Sequence, residues 1–254
     1  MTEKSYQQIN AEAWDRWVAE GIEWGIPIDH ETYLRAKNGD WNVLLTPTKP
    51  VPHSWFPALS GARVLGLASA GGQQMPIFSA LGAHCTVFDQ SKAQLASERM
   101  VSEREGYAID IVSGDMTKPL PFESETFDLI FHPVSNCYIE EVEPVWRECF
   151  RVLKHGGVLL AGMDNSLTYL FLDDRTEPLT LYNKLPFNPV RNEEHRRQLE
   201  TEDCGMQFSH TLTEQLGGQL RAGLVLTDLY EDISPGSILG TYVPEFYATR
   251  AVKP

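Results

Sequence analysis

From residue 62 onward, short apolar runs alternate with segments of helical period, and this alternation constrains the fold more than any other feature of the sequence. Each apolar run has the length of one buried strand, and turn residues separate it from the next helical segment. Such alternation is typical of right-handed β–α–β units, which build a parallel sheet with helices on its faces. The predicted strands are 63–67, 84–88, 108–112, 127–131 and 157–163, and the predicted helices between them are 73–81, 91–104 and 142–153.

The end of the chain predicts a different pairing of strands. A helix over 211–222 precedes a strand over 224–232, and a turn at 234–236 leads to a last strand over 245–252. Parallel pairing needs a crossover of about a dozen residues or more, usually a helix, so we expect the last strand to run antiparallel. The predicted fold class is therefore α/β: a Rossmann-like, doubly wound, mostly parallel seven-stranded sheet with an antiparallel last strand.

Two segments stand outside this alternation. Residues 1–58 contain five of the six tryptophans and predict one amphipathic helix over 7–20, followed by a proline-rich extended connector over 46–52. Residues 165–210 show no regular helix or strand pattern, and the segment is too long for a plain connection in a compact domain. We predict an N-terminal helical and aromatic cover over 1–58, and a ligand-binding domain over 59–254 with a lid or substrate-binding insertion at 165–210.

Composition argues against several classes of partner. The formal charge of −14 repels nucleic acid and anionic membranes, and glutamates interrupt the arginines of 191–197, as on a solvated helix face. No apolar run approaches the ~20 residues of a membrane span, and the first residues lack a signal-peptide core. The four cysteines have no C-x-x-C spacing, which indicates reduced thiols and no metal site. We expect a cytoplasmic protein, monomeric or homodimeric, without a membrane or nucleic-acid partner.

The loop after the first strand is the first candidate for ligand binding. It consists of small residues, which let a ligand approach the backbone, and it leads into a helix whose first amide groups are unpaired. In an open α/β sheet, ligands bind beyond the carboxyl ends of the strands. A turn that serves packing alone remains the alternative. The candidate contacts in this region are Ala68, Ser69, Ala70, Gly72, Gln73 and Gln74.

Two acidic residues follow the next strands. Asp89, with Gln90 beside it, lies just past the end of the second strand, at a spacing suited to a carboxylate that accepts hydrogen bonds from ribose hydroxyls. Its alternative role is to cap the next helix, for which Ser91 is the better residue. Asp115 and Met116 follow the third strand, where a carboxylate can accept from an exocyclic amine and a thioether can lie against a base; an ordinary turn is the alternative.

Two longer stretches carry a family resemblance. After Asp115 the chain reads LPFESETFDLI over 120–130 and RECFRVLKHGGVLL over 147–160. This pairing resembles the pattern D-x-x-x-L-P-F-x-x-x-x-F-D followed by E-x-x-R-V-L-K-x-G-G, which is found in class I methyltransferases dependent on S-adenosylmethionine (SAM), particularly the type 11 group of small-molecule enzymes. The resemblance implies SAM as cofactor, S-adenosylhomocysteine (SAH) as product and a small-molecule methyl acceptor.

The first loop departs from the family pattern of an acidic residue followed by G-x-G-x-G. Gly66 stands at the acidic position, Ala68 and Ala70 replace the first two glycines, and Gly72 is retained. Because alanine is the smallest substitute, we expect the backbone to remain approachable, with a negative φ at both alanines. The missing carboxylate has to be offset, and Gln73, Gln74 or an N-terminal side chain is expected to do so.

The resemblance also locates the chemistry. In this family the methyl group points toward the loop after the fourth strand, here 131–138, which includes Pro133. The polar candidates in this loop are His132, Asn136 and Tyr138. His132 is expected either to accept a proton or to be a histidine whose hydrogen bonds are satisfied by the backbone. Asn136 and Tyr138 are expected to orient the acceptor or SAM. Similar enzymes fold an N-terminal helix over SAM, so Asn10 and Trp14 are further candidate contacts; packing onto the sheet is the alternative for the tryptophan.

Other functions remain open at this stage. An NAD-dependent oxidoreductase would share the small-residue turn and Asp89, although the region after the third strand does not support it. A hydrolase has less support, because no G-x-S-x-G elbow is present. A non-catalytic SAM- or nucleoside-binding protein is the more serious alternative, given the altered first loop.

Overall fold

The computed structural model describes residues 4–172 and 175–254. The helices are α1 Tyr6–Glu20, α2 His30–Lys37, α3 Gln74–Ala80, α4 Lys92–Glu105, α5 Glu143–Val152, α6 Glu193–Glu202 and α7 Leu212–Arg221. The strands are β1 Arg63–Leu67, β2 His84–Asp89, β3 Ile109–Ser113, β4 Phe127–His132, β5 Leu153–Asp164, β6 Val225–Asp232 and β7 Phe246–Val252. The predicted strands and helices are all present with small changes of bounds, whereas the sequence patterns do not predict α2 and α6.

The seven strands form one sheet in the order β3-β2-β1-β4-β5-β7-β6. The pairs from β3 to β5 are parallel, and β7 is antiparallel to both β5 and β6. The predicted antiparallel last strand is confirmed, and it lies inside the sheet instead of at its edge. Strand order reverses between β1 and β4, so the loops after these two strands lead in opposite directions and leave a crevice between them.

Alternate residues of each central strand face opposite sides, which gives the sheet two cores. Val64 and Leu129 belong to the hydrophobic cluster on one face, together with Trp55 of the N-terminal segment. Leu65 and Ile130 belong to the cluster on the other face, together with side chains of α5. The N-terminal segment is therefore part of the main core as well as a cover for the carboxyl edge of the sheet.

The segment after β5 packs against α1. It contains a short 3-10 helix and α6, so the irregular structure predicted over 165–210 is wrong for Glu193–Glu202. Its small core consists of Tyr169, Phe187, Leu199, Met206 and Phe208, with Tyr6 and Ile9 of α1 against it. The arginines of α6 lie on a helix face as predicted, and Arg196 pairs with Glu200 one turn away at 3.1 Å.

Asp232, at the end of β6, attaches the proline-rich segment to the sheet. Its carboxylate accepts hydrogen bonds from the Thr46 hydroxyl at 2.8 Å and from the backbone N–H groups of Thr48 and Lys49 at 2.8 and 3.0 Å. The Thr48 hydroxyl also donates to it. The segment turns back on itself, so that Leu44 bridges Pro50, and the extended connector predicted over 46–52 is wrong. Burial opposes ionisation of Asp232, but these hydrogen bonds outweigh it and lower its pKa.

We expect Asp232→Asn to lower the free energy of unfolding at neutral pH by about 2 kcal/mol, because hydrogen bonds to a charged acceptor are lost. A group whose pKa is lowered by folding stabilises the protein above its unfolded pKa and loses that effect as pH falls through the folded pKa. The difference between wild type and variant in urea unfolding should therefore shrink below the ordinary aspartate pKa of 3.8. Asp110→Asn, at an exposed position on β3, is the control. Equal effects of the two substitutions would contradict the assigned role.

Candidate active site

A cavity of about 640 Å³ lies at the carboxyl edge of the parallel strands. Its wall includes the residues that directly follow β1, β2, β3 and β4, the last residue of β5 and the residue before β7. This volume is within the ~300–1,000 Å³ typical of small-molecule sites. Of the predicted contacts, those that line it are Trp14, Ala68, Ala70, Gln73, Gln74, Asp89, Gln90, Asp115, Met116, Pro133 and Tyr138. The lining does not include Asn10, Ser69, Gly72, His132 or Asn136.

The loop after β1 has a left-handed backbone at alternate positions. φ is +46° at Ala68, +63° at Ala70 and +77° at Gly72, so the expectation of negative φ at the two alanines is wrong. A residue with a Cβ atom in this region costs about 1–2 kcal/mol. The loop thus keeps the path that glycine would follow freely, at a cost in strain. At Gly71 a Cβ would lie 1.7 Å from the Gln94 carbonyl oxygen, so only glycine fits there.

Gly66 stands at the position where the family has an acidic residue, and a side chain there would displace the Ser69 and Met75 side chains. A Cβ at this position would lie 2.3 Å from Ser69 Oγ and 2.9 Å from Met75 Cε. The Ser69 hydroxyl is buried and has no hydrogen-bond partner among the described residues. The Ser69 side chain therefore takes the space in which a residue-66 side chain would begin.

The backbone of Gly72 is engaged by the protein itself. Its N–H donates to Glu98 Oε2 at 2.6 Å, and its carbonyl accepts from the Ile28 N–H at 2.8 Å. The Gln73 side chain donates to the Trp24 carbonyl at 2.8 Å. These contacts join the first loop to α4 and to the segment after α1, so the Gly72 amide is not available to a ligand.

Two glutamines on the cavity wall have buried amide atoms without partners among the described residues. Gln74 has an unpartnered Oε1, and Gln94, only 2% exposed, has neither its Nε2 nor its Oε1 bonded. Gln94 is a site residue that the sequence reasoning missed. The available signal is its position in the first turn of α4, where the predicted cap Ser91 accepts from the Gln94 N–H at 3.2 Å.

Asp89 both shapes its turn and faces the cavity. Its Oδ1 accepts from the Ser91 N–H at 2.8 Å. Burial raises the pKa of Asp89 to about 6, against the lowering effect of backbone hydrogen bonds, and the nearby charge of Asp15 adds to the rise. Asp15 belongs to α1 and accepts from the Ser91 hydroxyl at 2.7 Å, so α1 is anchored beside this site.

The turn after β3 also combines a structural role with a place on the cavity wall. Asp115 Oδ1 accepts from the Thr117 N–H at 2.8 Å, as in the ordinary turn considered above. Met116 is 9% exposed and lines the cavity together with Phe88. A Cβ at Gly114 would lie 2.4 Å from the Phe88 ring, so glycine allows the turn to pack closely against β2.

His132 and Asn136 form a buried hydrogen-bonded chain. His132 is fully buried. Its Nδ1 lies 2.8 Å from the Leu67 carbonyl oxygen, and its Nε2 lies 2.8 Å from Asn136 Oδ1. Asn136 Nδ2 lies 2.9 Å from Gln215 Oε1. Burial lowers the pKa of His132, so the ring is neutral and has one N–H. With Nε2–H as the donor to Asn136 Oδ1, the Asn136 NH₂ donates in turn to Gln215 Oε1. The chain joins β1, β4 and α7 without facing the cavity.

Helix α1 covers the cavity and is attached on two sides. Asn10 donates to the carbonyls of Tyr138 and Met206 at 3.0 Å each and accepts from the Met206 N–H at 2.6 Å. Trp14 lines the cavity and packs edge to face on Tyr138, with ring centres 5.7 Å apart. Asn10 thus holds the loop after β4 and the insertion together, and Trp14 supplies the covering surface.

Two buried carboxyl groups at the other end of the cavity were also missed. Asp164 is 6% exposed, and neither oxygen has a hydrogen bond of good geometry from the described residues, since the Tyr169 hydroxyl donates to Gln207 at 3.1 Å. Burial raises the pKa of Asp164, and the nearby His210 and Tyr169 act to lower it. Glu245 is 1% exposed and accepts from the Ser234 N–H at 2.9 Å. Asp164 is the last residue of β5, so the strand-end rule points to it, and the antiparallel β7 brings Glu245 to the same edge.

In residues 4–172 and 175–254, no group of three or more His, Cys, Asp or Glu side chains could hold a metal ion. Within the same ranges, no helix combines the length and apolarity needed to cross a membrane.

Known proteins resemble this chain in sequence and in fold. A family model for the methyltransferase domain matches residues 65–161. The uncharacterized methyltransferase YbaJ of Bacillus subtilis is 40% identical over 248 residues, which are 96% of this chain and 97% of that protein. The ubiquinone/menaquinone biosynthesis C-methyltransferase UbiE of Bartonella tribocorum is 33% identical over 109 residues, 41% of this chain and 42% of that protein. A SAM-dependent methyltransferase structure from Mesorhizobium loti has a TM-score of 0.64 at 18% identity and covers 78% of this chain and 94% of its own.

The sheet order and the cavity at its switch point define a class I methyltransferase fold. With a 40% identical relative over nearly its whole length, the chain belongs to the methyltransferase family. The resemblance identified from residues 114–160 is confirmed, and the protein is a SAM-dependent methyltransferase whose acceptor these relatives do not identify. The oxidoreductase alternative has no support among them.

We expect Ala70→Gly to raise the free energy of unfolding by up to about 1 kcal/mol, because relief of left-handed strain exceeds the added chain entropy of glycine. Ala96→Gly, at an exposed helical position in α4, makes the same chemical change where φ is already favourable and should lower stability by about 1 kcal/mol. Urea unfolding of both variants measures the contrast. Destabilisation of the same size in both would mean that the loop is not strained at Ala70.

Proposed function

We propose that SAM lies along the carboxyl edge of the sheet and that the chain transfers its methyl group to a small molecule bound at the Asp164 end, with SAH as the product. One observation carries this proposal. A single cavity wall contains the small-residue loop after β1, the acidic residues after β2 and β3, and an unpartnered buried carboxyl at the end of β5. This order provides a nucleoside end and an acceptor end on opposite sides of the switch point.

The nucleoside end fits the residues after β2 and β3. Ribose hydroxyls are donors, and the ionised Asp89 carboxylate is an acceptor on the cavity wall. The exocyclic amine of adenine is a donor for the Asp115 oxygen that the turn leaves free, since Oδ1 is bonded to Thr117. The flexible thioether of Met116 supplies an apolar surface for the base.

Gln74 and Gln94 are our candidates to hold the amino-acid end of SAM. That end has ammonium donors and carboxylate acceptors, and Gln94 offers a buried donor and a buried acceptor, both without partners. Gln74 offers a further acceptor on the same wall. They would replace the acidic residue of the family pattern, in whose place this chain has Gly66.

Bound SAM supplies a methyl group that is already activated by its positive sulfur, so the chain mainly has to align the acceptor and exclude water. Tyr138 and Pro133 line the cavity beside the switch point and face this region. His132 and Asn136 are positioning residues in this proposal. Their hydrogen-bonded chain holds the start of the loop after β4 and therefore the orientation of Tyr138.

Helix α1 and the insertion act together as a lid in this proposal. Trp14 covers the cavity, and Asn10 joins α1 to Met206 of the insertion, so the two segments would move as one unit. α1 ends at Gly21, whose left-handed φ of +78° marks the point where the chain changes direction. Opening at this end would admit the acceptor.

The nature of the partner and the location of the protein follow from charge and thiols. The cavity wall is acidic, which favours a small molecule over nucleic acid. All four cysteines are free, and three of them are buried. Free thiols are typical of a reducing compartment, so we infer a cytoplasmic location.

Calorimetric titration with SAH tests the nucleoside assignment. Asp89→Asn should weaken SAH binding about 10-fold or more, since hydrogen bonds to a charged acceptor are lost. Wild-type affinity should fall as pH is lowered through about 6, because protonation removes the acceptor, and the variant should lack this dependence.

Asp110→Asn, which removes the same charge from β3 outside the cavity, is the control for this titration. Equal SAH affinity of Asp89→Asn and wild type would refute the ribose assignment. Tighter binding of NAD than of SAH would contradict the cofactor itself. SAM that binds but is never consumed with a broad panel of metabolites would favour the non-catalytic alternative.

A further inference from the structure

The charge of the cavity wall restricts the chemistry of the acceptor. The acidic residues on the wall are Glu23, Asp89, Asp115, Asp164 and Glu245, and no Lys, Arg or His is found among the described residues that line it. An acceptor with a carboxylate or phosphate group would bury its charge without a partner and beside charges of the same sign. The cavity therefore selects a neutral or cationic acceptor.

Asp164 is separated from the part of the cavity assigned to the nucleoside. β2, which ends at Asp89, and β5, which ends at Asp164, are three strand positions apart in the sheet. At the usual spacing between neighbouring strands, these strand ends lie about 14 Å apart. A SAM molecule held at Asp89 and Asp115 leaves Asp164 beyond the switch point, where the acceptor has to approach the methyl group.

Asp164 is a buried carboxyl group whose pKa burial raises, although the neighbouring His210 and Tyr169 act to lower it. It is 6% exposed, its two oxygens accept no hydrogen bond of good geometry from the described residues, and it lines the cavity. Leaving such a group unsatisfied is costly, so a ligand donor is the expected partner. Burial is the main cause that raises the pKa of Tyr169 and of Tyr247. The charge of the neighbouring Asp164 raises both pKa values further.

The surroundings of Asp164 match an ammonium group better than a hydroxyl group. Tyr138 and Tyr169 present aromatic rings on the same wall, and aromatic faces attract cations. Glu245 adds a second buried carboxyl, although one of its oxygens already accepts from the Ser234 N–H at 2.9 Å. A carboxylate and aromatic residues on a wall that no Lys, Arg or His lines form a receptor for a protonated amine, and the buried His210 near Asp164 lies outside this lining.

We propose that Asp164 binds the amino group of the methyl acceptor and accepts its proton, so that the enzyme is an N-methyltransferase acting on an amine. This inference rests on the proposed SAM-dependent function. The acceptor enters as an ammonium ion opposite the Asp164 carboxylate, and one proton passes to that carboxylate, leaving a neutral amine. The nitrogen lone pair forms the N–C bond to the methyl group while the C–S bond breaks and its electron pair returns to sulfur.

Probe binding to the SAH-saturated protein tests the inference. Benzylamine, benzyl alcohol and benzoate have similar shapes but carry positive, zero and negative charge at neutral pH. Calorimetry should show benzylamine as the tightest ligand and no binding of benzoate. In Asp164→Asn, benzylamine affinity should fall about 30-fold or more, the loss expected when one partner of a buried charge pair is removed, while SAH affinity stays unchanged.

Asp110→Asn, with the same loss of charge on β3, should retain both affinities. The wild-type series decides the question by itself if Asp164→Asn fails to fold. Equal or tighter binding of benzyl alcohol or benzoate overturns the inference, as does the absence of saturable benzylamine binding up to its solubility. These results would leave the SAM assignment intact, whereas a wild-type protein that does not bind SAH would remove the proposed function as well.

Discussion

The parallel direction of the central strands is the constraint on which the site depends. Because each right-handed crossover returns the chain to the edge of the sheet where the previous strand began, β1 to β5 all run in one direction and end at the opposite edge. The antiparallel β7 begins at that edge. Residues from distant parts of the sequence, such as Asp89, Asp164 and Glu245, therefore line one cavity. The strand bodies are mostly apolar on both faces, and the carboxyl edge adds buried polar groups such as Asp164 and Glu245.

The first loop combines a strained backbone with close packing. Ala68 and Ala70 adopt the left-handed backbone that glycine adopts at no steric cost, and Ser69 takes the space above Gly66. The loop is held in this form from outside, because Glu98 accepts from the Gly72 N–H. The altered sequence thus keeps the backbone path of a glycine-rich loop while the acidic side chain is lost, and in the proposed function Gln74 and Gln94 supply polar contacts to the cofactor.

The periodic parts of the sequence were sufficient to predict the fold, the strand-end positions of Asp89 and Asp115 and the antiparallel last strand. Side-chain orientation was not predictable in the same way. His132 stands at a strand end in the sequence, but its ring is turned inward to the Leu67 carbonyl, and Asn10 is used to attach α1. Asp164 follows an apolar strand in the sequence and was missed because its burial among His210 and Tyr169 arises only from tertiary packing.

A crystal structure of the SAH complex tests the central claim most directly, namely that the cavity holds the cofactor from β3 toward β5 and leaves the Asp164 end for the acceptor. The account predicts adenine at Met116, the ribose hydroxyls on Asp89 and the amino-acid end within hydrogen-bond distance of Gln94, with open volume at Asp164. SAH whose ribose or amino-acid end occupies the space at Asp164, or which binds outside this cavity, would contradict it.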